Sequence, residues 1–236
     1  MTFITNIANI MAKYWQTFLL QGIGYTLLLS LIAVAGGAFF GSLMALAKRS
    51  KLKVLKGIVN AIVEVVRGTP VLLQLYIGVF VFPMVIPVLS SLPYMYSVAI
   101  VLIINSSAYV SEIIRSGIEA VDIGQMEAAR SLGLTQRTAM LSIVLPQAVK
   151  NILPALGNEF IMILKETSLA STFFLGDLMT SYLKVKGATY LGFETLIIVG
   201  ILYFLLTFPL SKLVAHFEKK LSTTQNYKNR KRKEIK

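Results

Sequence analysis

The sequence contains no cysteine and only one histidine, and 14% of its 236 residues are charged. The lack of cysteine excludes disulfide bonds and thiol chemistry, and the lone His216 predicts no metal site. No GxxxxGK[ST] segment occurs, so we predict that the chain does not itself bind ATP. The apolar runs also lack paired nucleophile and base residues, which argues against an intramembrane enzyme.

Apolar residues are abundant by contrast: they make up 56% of the chain, and the mean hydropathy is +0.72. A soluble domain of this length cannot bury so much apolar surface, whereas about 20 apolar residues cross a bilayer as an α-helix. We therefore predict an all-α, polytopic membrane protein with five transmembrane helices. The spans are expected within 17–47, at about 58–86, and at 94–114, 143–164 and 191–214.

Two sequence features refine these spans. Pro70 in the second span, and Pro146 and Pro154 in the fourth, predict bends, because proline removes a helical hydrogen bond. Gly36, Gly37 and Gly41 in the first span predict close packing against another helix.

Basic residues are distributed unevenly between the connecting segments. Five lie in the 48–57 loop, three in the 115–142 loop and nine from Lys212 onwards, whereas the other side holds Lys13, Lys165, Lys184 and Lys186. Basic loops remain in the cytoplasm, so we predict a cytoplasmic C-terminus and an N-terminus outside. The basic tail is expected to contact anionic lipid or simply to be solvated, and we expect no nucleic-acid partner.

The segment 127–146 is a polar helix–turn–helix pattern between apolar runs. Glu127-Ala128-Ala129 is followed after three residues by Gly133, then after nine by Ile143, and finally by Leu145-Pro146. A turn between spans needs helix caps, but it does not need this complete spacing.

The caps of this segment are also readable from the sequence. Asp122 is placed to cap the first short helix, with Gln125 three residues later as in a capping box. Gly133 favours the left-handed conformation that ends a helix, and Thr135 is placed to cap the next one. We therefore predict one short capped helix between the third and fourth spans, followed by a helix that Thr135 caps and that continues into the apolar run from Ile143.

The complete spacing of segment 127–146 resembles the EAA loop of ABC importer permeases, which contains a coupling helix, lies in the cytoplasm and docks on a separate ATPase. The resemblance implies a transport subunit of the type I importer fold and not an enzyme. It places ATP and Mg²⁺ on two partner ATPase subunits, with no cofactor in this chain. It also implies a second permease subunit, identical or a sister, and an extracytoplasmic solute-binding protein. The residues expected to contact the ATPase are Asp122, Met126, Glu127, Ala128, Ala129, Leu132 and Gly133.

Three further stretches, at 64–74, 107–118 and 157–169, resemble the second, third and fourth spans of polar amino acid permeases of the histidine/glutamine/arginine/cystine type. Their most distinctive runs are Glu-Val-Val-Arg-Gly-Thr-Pro at 64–70 and Leu-Lys-Glu-Thr-Ser-Leu at 164–169. The resemblance covers about 22–216 and implies a bacterial plasma-membrane importer of polar amino acids. Alternatives are an importer of another small polar solute, such as an opine or a quaternary amine, and a passive channel.

This resemblance divides the chain into three segments. We expect an extracytoplasmic N-terminal segment at 1–21, an ABC type-1 transmembrane domain at 22–216 and a basic cytoplasmic tail at 217–236.

Charged residues inside spans are costly and should face a partner or water. Glu64 and Arg67 are three residues apart on one helix and are expected to form an ion pair, with a cytoplasmic gate as the alternative. Glu112 and Arg115 repeat this spacing near the cytoplasmic end of the third span. Both pairs are therefore candidates for a gate or for helix pairing.

Glu159 differs from these pairs because no basic residue lies three or four positions away. Its partner must come from another span, from water or from a substrate ammonium group. We therefore expect Glu159 to face the substrate pathway, with an interhelical contact as the alternative. Asn158, Thr69, Gln74 and Arg67 are the other predicted pathway residues, although Thr69 and Gln74 could instead only join helices.

Overall fold

A computed structural model describes the backbone of residues 2–234 and the side chains of residues 2–221. Most of the predicted basic tail therefore lies outside the described side chains. Within the described backbone the chain is helical and contains no β-strand. Its helices are α1 (Thr2–Lys48), α2 (Lys53–Gly68), α3 (Val71–Val85), α4 (Tyr94–Glu119), α5 (Ile123–Ser131), α6 (Gln136–Phe173), α7 (Leu178–Thr189) and α8 (Gly192–Glu234), and a short 3₁₀ turn (Pro87–Ser91) precedes α4.

The predicted spans correspond to α1, α4, α6 and α8, each long and apolar enough to cross a membrane, and to the pair α2 and α3. The helices extend beyond the predicted apolar runs, because polar residues at a helix end continue the backbone hydrogen bonds. The boundaries predicted at residues 22 and 217 fall inside α1 and α8.

The second span is broken, and α3 turns by 109° from the axis of α2. Thr69 and Pro70 are extended at the break, with φ/ψ of −119°/146° and −62°/137°. Proline disfavours the helical conformation of the residue before it, and it cannot donate a hydrogen bond to α2. Pro70 therefore has a larger effect than the bend predicted from the sequence.

The prolines of the fourth span, Pro146 and Pro154, do not break the helix, and α6 remains one helix from Gln136 to Phe173. A wide π-helical turn, Met140–Val144, precedes Pro146, and the amide of Leu145 bonds to the carbonyl of Met140 five residues earlier. Such a turn absorbs the misfit of the proline ring without ending the helix.

Helix α4 is the centre of the bundle and packs against α1 and α6. Leu29 and Ala33 of α1 meet Val98 and Leu102 of α4 in a buried core that also includes Ile163 of α6. Added methyl groups at the glycines predicted for packing would overlap α4: at Gly36 with Ile103, at Gly37 with Ser106, and at Gly41 with Val110. The predicted close approach is confirmed.

This crossing can be tested with Gly37→Ala. The new methyl group would overlap Ser106, so we expect the free energy of unfolding to fall by about 1–2 kcal/mol. Gly57→Ala is the matched control, because open space surrounds Gly57 and alanine is the better helix former. Thermal unfolding in detergent measures both variants. Equal melting temperatures for Gly37→Ala and the native chain would contradict the crossing.

Helix α7 lies between α6 and α8 in the chain and packs against α1. Asp177 accepts hydrogen bonds from the amide of Met179 (2.9 Å) and from the hydroxyl of Thr180, which fixes the start of α7. The hydroxyl of Ser181 donates to the carbonyl of Thr17 (3.0 Å), and the amide of Leu178 donates to Thr26 (3.1 Å). The beginning of α1 is thus attached to the last third of the chain.

Candidate functional site

The break between α2 and α3 is stabilised by two side chains, Gln74 and Thr69, and the Thr69 hydroxyl donates to the carbonyl of Val65 (2.9 Å). Gln74 makes the larger number of contacts. Its amide nitrogen donates to the carbonyls of Val66 (2.7 Å) and Thr69 (3.0 Å) and contacts the Thr69 hydroxyl (3.0 Å). The last carbonyls of α2 have no helical partner, so Gln74 supplies the missing donor. Thr69 and Gln74 therefore stabilise the break.

Asn105 of α4 connects the hydrogen bonds of Gln74 and Thr69 to the buried core. Its side-chain nitrogen donates to the side-chain oxygen of Gln74 (3.0 Å), and the residue is 1% exposed. Its own oxygen, Oδ1, is buried without a hydrogen-bond partner among the described side chains. The sequence interpretation named neutral polar residues in the second and fourth spans but missed Asn105 in the third. The run Asn105-Ser106-Ser107 in an apolar span was the available signal.

Glu159 lies on the face of α6 that meets α4, and it is 3% exposed. Ser106 of α4 faces its carboxyl group. Within the described side chains, Glu159 Oε1 and Ser106 Oγ are both buried and unpaired, as is Glu166 Oε2 two turns along α6. The helices thus enclose unsatisfied acceptors, which a ligand with several N–H donors could satisfy.

Two predicted pathway residues lie elsewhere. Asn158 is exposed in a groove of about 350 Å³ that also holds Lys150 and Glu218, because neighbouring helical residues point in different directions. Arg67 points towards the ends of α1 and α4. The structure therefore links Thr69 and Gln74 to Asn105 of α4, and it places Glu159 opposite Ser106 of the same helix. It separates Asn158 and Arg67 from both contacts.

Glu112 is the centre of an ion cluster at the end of the bundle formed by the C-terminal ends of α1 and α4, which we call the basic end. Its carboxylate contacts Lys48 (2.5 Å), Arg115 (2.9 Å) and Arg67 (3.5 Å). The predicted pair of Glu112 and Arg115 is confirmed, and the pairing extends to α1 and α2.

The predicted pair of Glu64 and Arg67 is wrong: among the described ion pairs, Arg67 bonds to Glu112 of α4. The Arg67 guanidinium also lies over the Tyr109 ring, 5.4 Å from its centre. Because α2 packs against α4, Arg67 can contact both the carboxylate of Glu112 and the ring of Tyr109. Glu64 would provide a carboxylate alone.

The loop after α4 forms the expected short capped helix, α5. Asp122 accepts a hydrogen bond from the amide of Gly124 (2.8 Å), and Thr135 accepts one from the amide of Thr138 (3.2 Å). Gly133 ends α5 with a left-handed φ of 83°. The side chain of Gln125 does not complete a capping box, because its oxygen accepts from Gln147 of α6 (3.3 Å).

The residues predicted for docking divide between two faces of α5. Met126 packs against the core beneath the loop, and Ala129 is 2% exposed. Glu127 and Ala128 are exposed, and Leu132 is 83% exposed. Ile123, which the sequence interpretation missed, is 74% exposed and lies one turn before Glu127. Ile123, Glu127, Ala128 and Leu132 form what we call the α5 surface.

These features agree with comparisons to known proteins. Residues 37–223 match the family model described as "Binding-protein-dependent transport system inner membrane component". The chain belongs to this family. It is therefore an inner-membrane permease subunit of a binding-protein-dependent ABC importer, a transport subunit and not an enzyme, as the EAA-type spacing implied. The all-α membrane fold predicted from the apolar runs is also confirmed.

Curated relatives match along most of their length. The arginine transport system permease protein ArtQ of Bacillus subtilis (strain 168) is 37% identical over 87% of this chain and 93% of its own. The putative glutamine transport system permease protein GlnP of Rickettsia bellii (strain RML369-C) is 40% identical over 86% of this chain and 93% of its own.

Solved structures share the fold. The crystal structure of an amino acid ABC transporter with histidines contains a chain 44% identical to this one, with a TM-score of 0.84 over 89% of this chain and 96% of that chain. An inward-facing structure of the MetNI methionine ABC transporter has 19% identity and a TM-score of 0.61, over 85% of this chain and 96% of that chain, which supports the fold alone.

Proposed function

We propose that this permease forms half of the pore of a bacterial importer for polar amino acids. The observation that carries the proposal is the buried carboxyl group of Glu159, whose Oε1 has no partner among the described side chains. A buried carboxylate needs a compensating charge or donors, and the ammonium group of an amino acid supplies both. The relatives named for arginine and glutamine transport agree with this substrate class.

The polar break completes the proposed site. Asn105, which donates to Gln74 at the break, has an unpaired oxygen, and Ser106, the next residue of α4, has an unpaired hydroxyl. Broken helices at mid-membrane depth commonly form substrate sites in transporters, because irregular backbone there offers polar groups. Arg67 and Asn158 remain proposed contributors only at the ends of the pathway, since neither faces Glu159.

The orientation follows from charge. We place the basic end and the C-terminus in the cytoplasm and the N-terminus outside. The reason is that most of the basic residues lie in the 48–57 and 115–142 loops and from Lys212 onwards. This orientation places the α5 surface where a cytoplasmic ATPase can reach it.

The proposed assembly contains two such permease subunits, either identical or paired with a sister chain. Two ATPase subunits hold ATP and Mg²⁺ and dock on the α5 surface, and a binding protein delivers substrate outside. Closure of the ATPases moves α5, and the spans alternate between outward-open and inward-open states. Each state exposes the site to one side of the membrane.

The test is uptake of a panel of labelled amino acids into proteoliposomes that contain the permease, its ATPase and its binding protein. We expect uptake of a polar amino acid that requires internal ATP. Uptake of an opine or a quaternary amine instead would change the substrate class and leave the ABC mechanism intact. Equal flux without ATP would indicate a passive channel and overturn the proposal.

A further inference from the structure

A cleft of about 620 Å³ opens at the basic end between α1, α2 and α4. It is separate from the Glu159 region, which lies deeper between α4 and α6. Its lining is rich in basic side chains. We call it the basic cleft, and its basic residues are Lys48, Arg49, Lys56, Arg67 and Arg115.

The acidic residues of the cleft neutralise only part of this charge. Glu64, Glu112 and Glu119 also line it, so cations outnumber carboxylates by five to three. Glu112 and Glu119 are engaged by Lys48, Arg67 and Arg115. The basic cleft therefore retains a net positive charge.

Several donors in the cleft remain available to a ligand. Arg49 and Lys56 are exposed, and neither forms an ion pair with a described side chain. The side chains of Arg67 and Arg115 are 42% and 46% exposed. Because a guanidinium group carries five N–H donors, both arginines have donors left after binding Glu112.

The helices beside the cleft also expose apolar surface. Leu46 of α1 is 68% exposed, and Val54 and Ile58 of α2 are 76% and 55% exposed. A cationic pocket next to exposed apolar side chains suits a molecule with a phosphate group and hydrocarbon chains. Basic pockets between transmembrane helices bind anionic lipid headgroups in this way.

We propose that the basic cleft binds the headgroup phosphate of an anionic phospholipid. The phosphate lies between Arg49 and Lys56 on one side and Arg67 and Arg115 on the other, and the acyl chains lie along Leu46 and Ile58. The proposal involves none of the residues around Glu159 and shares only Arg67 with the proposed substrate pathway, so it does not depend on which solute is transported.

A local fluorescence measurement tests the site. The chain has one tryptophan, so Trp15→Phe with Leu52→Trp places a single reporter in the exposed loop beside the cleft. This permease is reconstituted with tryptophan-free variants of its ATPase subunits, and quenching by brominated phosphatidylglycerol is compared with quenching by brominated phosphatidylcholine. We expect a clear preference for phosphatidylglycerol. The double change Arg49→Gln/Lys56→Gln should lower the preference for phosphatidylglycerol over phosphatidylcholine by about 10- to 30-fold. This is the loss expected when two basic residues are removed at a lipid surface.

The control is Lys231→Gln/Lys233→Gln, which removes the same charge from the tail and should leave the preference unchanged. If both double variants lost the preference for phosphatidylglycerol equally, the preference would arise from general surface charge, and this would overturn the proposed site. If adding millimolar inorganic phosphate abolished the preference for phosphatidylglycerol, the cleft would be a site for a soluble phosphate and not for a lipid, which would overturn the proposal. A reporter quenched by neither lipid would mean that another protein surface covers the cleft, and this would also overturn the proposal.

Discussion

Replacement of Glu159 by glutamine is expected to lower the efficiency of ATP-dependent uptake by about 10- to 100-fold, since a hydrogen bond to a charged group contributes about 1.5–3 kcal/mol. Glutamine keeps the size of the side chain and its capacity for hydrogen bonds, but it loses the negative charge. A purely structural role would therefore survive the change, whereas attraction for a substrate ammonium group would not. Uptake kinetics in proteoliposomes measure the difference.

The matched control for this charge is Glu218→Gln. Glu218 is an exposed carboxylate on α8, in the groove that also holds Asn158. We expect normal uptake from this variant. Size-exclusion chromatography verifies that both variants assemble with the ATPase. Unchanged uptake in an assembled Glu159→Gln transporter would make Glu159 an interhelical contact and remove it from the substrate pathway.

Gly133→Pro is expected to uncouple ATP hydrolysis from transport. Gly133 has a φ of 83°, whereas proline fixes φ near −65°, and the change also removes the hydrogen bond from the Gly133 amide to Arg130 (3.0 Å). Proline should destabilise the native conformation of the loop by about 3 kcal/mol, so that most molecules hold α5 in a displaced position. Uptake should therefore fall by about 100-fold while the ATPase subunits still hydrolyse ATP. Parallel assays of uptake and phosphate release measure the coupling ratio.

Two further variants separate backbone from surface effects at this loop. Gly133→Asn should retain most coupling, because asparagine tolerates the left-handed conformation. Glu127→Lys reverses an exposed charge on the α5 surface without changing its backbone, and it should weaken coupling as well. Normal coupling in both Gly133→Pro and Glu127→Lys would contradict docking through α5.

The role of α5 shows what a local pattern can predict. The caps at Asp122 and Thr135 and the stop at Gly133 depend on neighbouring residues, and the structure forms all three. The direction of each α5 side chain depends instead on how the loop packs against α6. Ala129 and Met126 therefore face the core, although the sequence placed them with the docking residues.

The ion pairs illustrate the same division. The spacing of Glu112 and Arg115 correctly predicted a pair within one helix. The same spacing failed for Glu64 and Arg67, because Glu112 approaches Arg67 from another helix. A pattern within one helix cannot reveal a competing partner that is 45 residues away in the chain and becomes close only when α2 packs on α4.

The sequence by itself determined the membrane class, the helical spans, the bend at Pro70 and the capped loop, because apolar run length, proline chemistry and helix caps act over a few consecutive residues. Only the tertiary structure decided the size of the 109° break, the link from Gln74 to Asn105 and the position of Ser106 opposite Glu159. It also formed the basic cleft from three helices. These features depend on helix crossings between distant segments, and each crossing is set by the packing of the whole bundle.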